Sequence, residues 1–198
     1  MNAVELLHFS MKNSFDVLDM VVSDLTQEQA DWVPPGNASS ISALYWHIIA
    51  YADQIVHEKC MPPFSELPFE VWSAERLTTQ GQVSGQIPIR FRNGWQKKVV
   101  LGLPPEDPED FFWDIRVLSE GFQIDLDALH AFAHDVANAV LKWIATLAIE
   151  DLDQQVTTPI GDYPLGNFIA FFIIWNNNVH CGEISAIKGL QGLKGYPW

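Results

Sequence analysis

Cysteine is scarce: Cys60 and Cys181 are the two in 198 residues. That is too few for a disulfide-built scaffold, and they lack the CxxC spacing of zinc ribbons and redox motifs, so reduced thiols are expected. Basic residues are scarce too, 11 against 25 acidic ones, for a net charge of −14. A surface of that sign repels phosphate backbones and the anionic face of a membrane, which argues against a nucleic-acid partner. Long apolar runs are missing: the longest, Phe168 to Trp175, falls far short of the roughly 20 residues that span a bilayer. The first residues have no basic n-region and meet Glu5 and His8 before any apolar run. No signal or transit peptide is indicated, and a cytoplasmic protein is expected.

What is present is a globular composition, 48% hydrophobic and 12% aromatic, enough for a single domain over residues 1–198. Val4, Leu7, Met11, Leu18, Val21 and Leu25 recur at helical steps and predict a first amphipathic helix from Asn2 to about Leu25. Thr26 and Gln29 have capping-box spacing and open one short turn of helix, which Pro34-Pro35-Gly36 stops. A second main helix is predicted from a cap at Asn37 or Ser39 to about Cys60, burying Ile41, Leu44, Ile48, Ala52 and Ile55, with Asp53 on the wet side. The third is capped by Asp125 and carries Leu129, Ala133, Val136, Val140, Trp143 and Leu147 in a 4-3-4-3-4 stripe. The fourth runs from about Asn167 to Leu190.

Between helices 2 and 3, residues 61–124 hold more than half of the prolines and of the basic residues, with no long helical period. This stretch is predicted to be an irregular crossover with short elements: a strand near Gln86 to Arg92 and a helix over Phe111 to Leu118. The fold class that follows is all-α, a four-helix bundle with one long connection.

Polar residues interrupt the apolar stripe of helix 4. At about 100° per residue, Asn176, His180 and Glu183 fall in the same arc as Leu165, Ile169, Phe172, Ile173, Ile187 and Leu190. Buried polar groups need partners. Asn176 and His180 are four apart, a spacing that lets two helical side chains share one ion. His47 sits on a flank of helix 2 beside Leu44 and Tyr51, so it can face the bundle obliquely. Two readings stand: imidazoles from facing helices holding a metal in the bundle core, or hydrogen-bonded core histidines.

Several short motifs occur in a definite order: Leu25-Thr26-x-Glu28-Gln29-x-Asp31-Trp32 then Pro35-Gly36, Leu44-x-Trp46-His47, His180-x-Gly182-Glu183-Ile184, and a glycine-rich tail from Gly189 to Tyr196-Pro197-Trp198. In this the sequence resembles the DinB-like (YfiT-like) metalloenzyme family, related to mycothiol- and bacillithiol-dependent enzymes. The resemblance covers all four helices and the tail and is loose across the crossover. It implies a bundle holding one divalent metal, zinc or nickel, through a histidine on helix 2 and an H-x-x-x-H pair on helix 4, with positions open to water or substrate. His47 and His180 match, whereas the first histidine of the pair falls on Asn176, whose amide would be a weak or water-mediated ligand. Glu183 occupies the Gln/Glu position of the family motif and would orient His180 or act as a base; Tyr51, one turn beyond His47, could donate to a bound ligand.

The family's activity implies a low-molecular-weight thiol, activated by the metal, attacking an electrophilic small-molecule substrate, as in S-transfer or isomerisation. Members often pair, so a homodimer is expected. The rival from another class is a metal-free degenerate bundle, with Asn176, His180 and His47 in a buried hydrogen-bond network, serving as a ligand-binding or dimerisation module. Of the remaining candidates, His130 and His134 read as solvated or flanking residues with Asp127 and Asp135 as neighbours, and Cys181 as a small packing residue pointing away from the Asn176 arc. Arg90, Arg92, Lys97 and Lys98 form the one basic cluster, either a solvated loop or an attraction for an acidic ligand.

Overall fold

The computed structural model describes residues 1–55, 125–158 and 161–196. The crossover strand and helix, the basic cluster, His57 and Cys60 lie outside the described residues. Helix α1 (Ala3–Val22) opens with a full capping box: Glu5 N donates to Asn2 Oδ1 at 2.9 Å and Asn2 N to Glu5 Oε2 at 2.8 Å. It buries Met11, Phe15, Leu18, Val21 and Val22. It stops three residues short of Leu25, which stays buried as the chain turns into α2 (Gln27–Asp31). The expected box of Thr26 and Gln29 is formed in both directions.

Gly36 takes φ of 91°, a conformation open to glycine at no steric cost, and residues 37–40 stay outside any helix. Helix α3 (Ile41–Ile55) therefore starts later than predicted. Its cap is neither Asn37 nor Ser39 but Ser40, whose Oγ accepts from Ala43 N at 3.3 Å. Residues 41–50 are all buried, because α3 packs on α2 at its start and between two long helices along its length. Asp53, expected on a wet face, is buried as well, 4% exposed. Helix α4 (Leu126–Ile144) follows the predicted stripe, with Asp125 Oδ1 accepting from Ala128 N at 2.9 Å.

A 3-10 turn (Ile149–Asp153) leads into an antiparallel hairpin of β1 (Gln155–Thr158) and β2 (Gly161–Pro164), with Val156 opposite Tyr163. No strand is predicted here from the sequence, since two four-residue strands are too short for a period of two to register. The last helix occupies residues 165–190 in three stretches: α5 (Leu165–Phe168), a π-helical stretch (Ile169–Trp175) and α6 (Asn176–Leu190). Gly192, at φ 75°, ends it, with Leu193 N donating to Lys188 O at 2.9 Å. The tail then lies on α6 so closely that a Cβ on Gly195 would stand 2.2 Å from Ser185 Oγ.

α1 and α3 each pack against both α4 and α6, so α1 faces α3 across a diagonal and the core runs between the four. Leu126 N donates to Gln27 Oε1 at 2.9 Å, and Gln191 Nε2 donates to Gln29 O at 3.0 Å. The start of α4, the end of α6 and the end of α1 therefore meet at one end of the bundle. α3 starts there too and runs parallel to α4. The fold is the expected all-α bundle, with a small hairpin added. Among the described residues no helix is long and apolar enough to cross a membrane.

Candidate functional site

α3 and α6 run antiparallel side by side, and this brings His47 to His180. Their ring centroids are 5.0 Å apart with the planes at 82°. His47 is 8% exposed and stacks on its other side against Tyr51, one turn on, at 5.6 Å. Partial burial raises the Tyr51 pKa, so its hydroxyl keeps its proton well above neutrality. On His180 the ring is held from behind: Nδ1 and Glu183 Oε2 are 2.7 Å apart. A carboxylate on one ring nitrogen fixes the tautomer and turns the other nitrogen outward. That leaves Nε2 of His180 for the space it shares with His47.

Asn176 precedes His180 by one turn. Its Nδ2 is buried without a hydrogen-bond partner, an arrangement that ordinarily costs about 1–3 kcal/mol. A half-turn of the amide about χ2 exchanges donor for acceptor at the same point, so the position can present oxygen. Two imidazoles bound to one ion at about 2.0–2.1 Å with a tetrahedral angle place their ring centres ~5 Å apart. The His47–His180 spacing fits that geometry. Among the described residues no third His, Cys, Asp or Glu makes a group with them, and the Asn176 amide is the polar group one turn from His180.

The expectation that Asn176, His180 and Glu183 lie in the buried stripe of the last helix needs correction. The stripe is one residue on: Asn177, Cys181, Ile184 and Lys188 are buried, Asn176 and His180 are half-buried at its flank, and Glu183 is exposed. Leu190, placed in the arc, is 67% exposed. The π-helical stretch is the reason. Its wider i→i+5 turn slows the rotation of the chain, so a wheel at 100° per residue laid across residues 165–190 is out of register by Asn176. The flank still serves the predicted pairing, because the deep stripe faces α1 and the flank faces α3.

Cys181, predicted to pack, does so at 1% exposure, and burial pushes its thiol pKa up to about 12. It is inert as a nucleophile. His130 has Asp127 as an electrostatic neighbour, as expected, and both histidines also meet residues of other helices. Tyr45 Oη is 3.2 Å from His130 Nδ1, and His134 Nε2 is 3.6 Å from Asp19 Oδ1. Sequence reasoning missed these and the two buried polar residues Asn177 and Lys188. Their partners are Ser14, Val21 and Asp24 on or beside α1, more than 150 positions away, and no local spacing encodes such contacts.

The model of one protein family, described as the DinB superfamily, matches residues 11–184. That match spans every helix of the site. No curated protein matches the chain.

Proposed function

The chain belongs to the DinB superfamily, and from that premise we propose that it is a metal-dependent enzyme of the DinB-like group, working on a small electrophilic substrate with a low-molecular-weight thiol, in S-transfer or isomerisation. The observation that carries this is the His47–His180 pair: two imidazoles from facing helices at 5.0 Å, one of them oriented by Glu183. His47 and His180 would hold one divalent ion, zinc or nickel, and Asn176 would add a weak third ligand or hold a water. Such an ion, when bound, acidifies a thiol or water beside it.

The chain's own residues do the rest. Glu183 keeps His180 in one tautomer and one orientation, and Tyr51, stacked on His47, limits that ring's rotation. The Tyr51 hydroxyl, protonated at neutral pH, would donate a hydrogen bond to a bound substrate. The proposed homodimer is supported by apolar exposure: Phe171 and Trp175 stack at 5.1 Å on the outer face of the last helix, 49% and 54% exposed, with Val179 one turn on.

An edge-to-face pair of rings in plain contact has the same centroid spacing, so metal retention is the deciding measurement. Elemental analysis of the protein purified without a metal-binding tag, beside His47→Ala, is expected to give about one divalent ion per chain, lost in the variant. No metal after incubation with zinc, nickel or manganese would overturn the proposal and leave the metal-free binding or dimerisation module as the reading to pursue.

A further inference from the structure

On the opposite side of α3, away from His47, α1 and α4 leave a partly open cavity of about 200 Å3 between them. Its cause is local: Ala133 and Ala137, one turn apart on α4, meet Phe15 and Leu18 of α1 with no side chain long enough to fill the gap. Tyr45 and Ile49 of α3 form the floor. The rim is polar, and its charge comes from α1.

We infer that this groove is a second binding site, for a small protonated amine with an apolar, aryl-sized body. Lys12 and Asp16 pair with each other on α1, at i,i+4 spacing, so the charge they leave for a ligand is small. Asp19 is different. Among the described residues the ion pair it makes is with His134, whose Nε2 is 3.6 Å from Oδ1, longer than a hydrogen bond, and the carboxylate keeps acceptor capacity toward the groove. Below it, Tyr45 is 1% exposed with its hydroxyl 3.2 Å from His130 Nδ1. Desolvation lowers the proton affinity of His130, against the opposing pull of Asp19 and Asp127. One hydrogen bond joins this ring to Tyr45 in either tautomer, and the tyrosine oxygen retains a lone pair for an incoming N–H.

With Lys12 engaged by Asp16, and with His134 and Asn138 also on its rim, the groove offers two acceptors, Asp19 and the Tyr45 hydroxyl, over an apolar floor. Ammonium satisfies them, and a carboxylate would meet Asp19 with like charge, in a chain whose net charge of −14 already disfavours anions. A dry cavity of about 150 Å3 accommodates benzene. The larger volume here matches a phenyl ring carrying a short aminoalkyl arm, with the ring over Ala137 and Ile49 and the nitrogen between Asp19 and Tyr45.

The test is an NMR titration of the full chain with 2-phenylethylamine, and with 3-phenylpropionate as its anionic counterpart. Saturable shifts centred on Phe15, Tyr45 and Ala137 are expected from the amine alone. Asp19→Asn is expected to weaken binding by about tenfold or more, the loss of a charge-assisted contact, and Ala137→Leu, which fills the cavity, to abolish it. Absence of saturable binding to the wild-type chain, equal binding of the carboxylate, or undiminished affinity in Asp19→Asn would overturn the inference. If Ala137→Leu loses its dispersed spectrum, Asp19→Asn alone decides.

Discussion

Two faces of the same helix carry polar residues side by side and use them differently. Toward α1, α6 presents Asn177 and Lys188, both fully buried and both tied to α1 or the turn after it: Asn177 Nδ2 donates to Ser14 Oγ at 3.3 Å, its Oδ1 having no partner among the described residues, and Lys188 Nζ donates to Val21 O at 2.7 Å and to Asp24. Toward α3 it presents Asn176 and His180, half-buried, with the Asn176 amide nitrogen unpartnered and the His180 ring held by Glu183 against His47. Partnered polar groups deep in a core fix how helices register. Groups held in position with capacity left over are what a site requires. The difference between neighbouring residues such as Asn176 and Asn177 is thus one of rotation on the helix and not of residue type.

The largest effect that would break this contrast comes from Lys188. Its ammonium caps a carbonyl in the last turn of α1, where the helix dipole is negative, and its stem fills core volume. Lys188→Ala leaves the Val21 carbonyl orphaned and opens a cavity, whereas Asp24, which is exposed, returns to water at little cost. The expected loss is ~2–4 kcal/mol, read by urea unfolding, with zinc uptake at the other face unchanged. A loss under about 0.5 kcal/mol, the range of ordinary surface changes, would show that the α1 face does not depend on its polar contacts. Next in size is Ser14→Ala, which removes the acceptor of Asn177 Nδ2 and the hydroxyl that itself donates to Met11 O at 2.8 Å. About 1–2 kcal/mol is expected in the same assay.

Local signals made most of the frame legible in the sequence. The caps at Asp125 and Thr26, the stripe of α4 from Leu129 to Trp143 and the proline-glycine stop at Gly36 are decided within a few residues, and the structure keeps them, while Leu147, the last member of the predicted stripe, falls beyond the helix end. So was the facing of His47 and His180, because a bundle with one long crossover brings helices 2 and 4 together. Rotation was harder to read. A π-helical stretch of seven residues, Ile169–Trp175, has no distinctive composition, and it moved the buried stripe from Asn176 and Glu183 to Asn177 and Lys188. Asp53 and the hairpin escaped for a related reason: burial of one side and pairing of four-residue strands depend on neighbours distant in the chain.

The smallest expected change in stability is the sharpest test of the other face. Glu183 is half exposed and holds His180 from the solvent side, so Glu183→Ala should alter unfolding by no more than about 0.5 kcal/mol. What it should alter is affinity for an ion. Without the carboxylate, His180 is free to change tautomer and to rotate, and loss of such a supporting partner typically weakens metal binding about 10–100-fold. Competition with a chromogenic zinc chelator would measure this on wild type and variant alike. If Glu183→Ala instead destabilised the fold by more than about 1 kcal/mol while zinc affinity held, at odds with the usual small worth of an exposed pair, the His180–Glu183 contact would be structural in the way Lys188 is. The distinction between the two faces of α6 would then be one of depth alone.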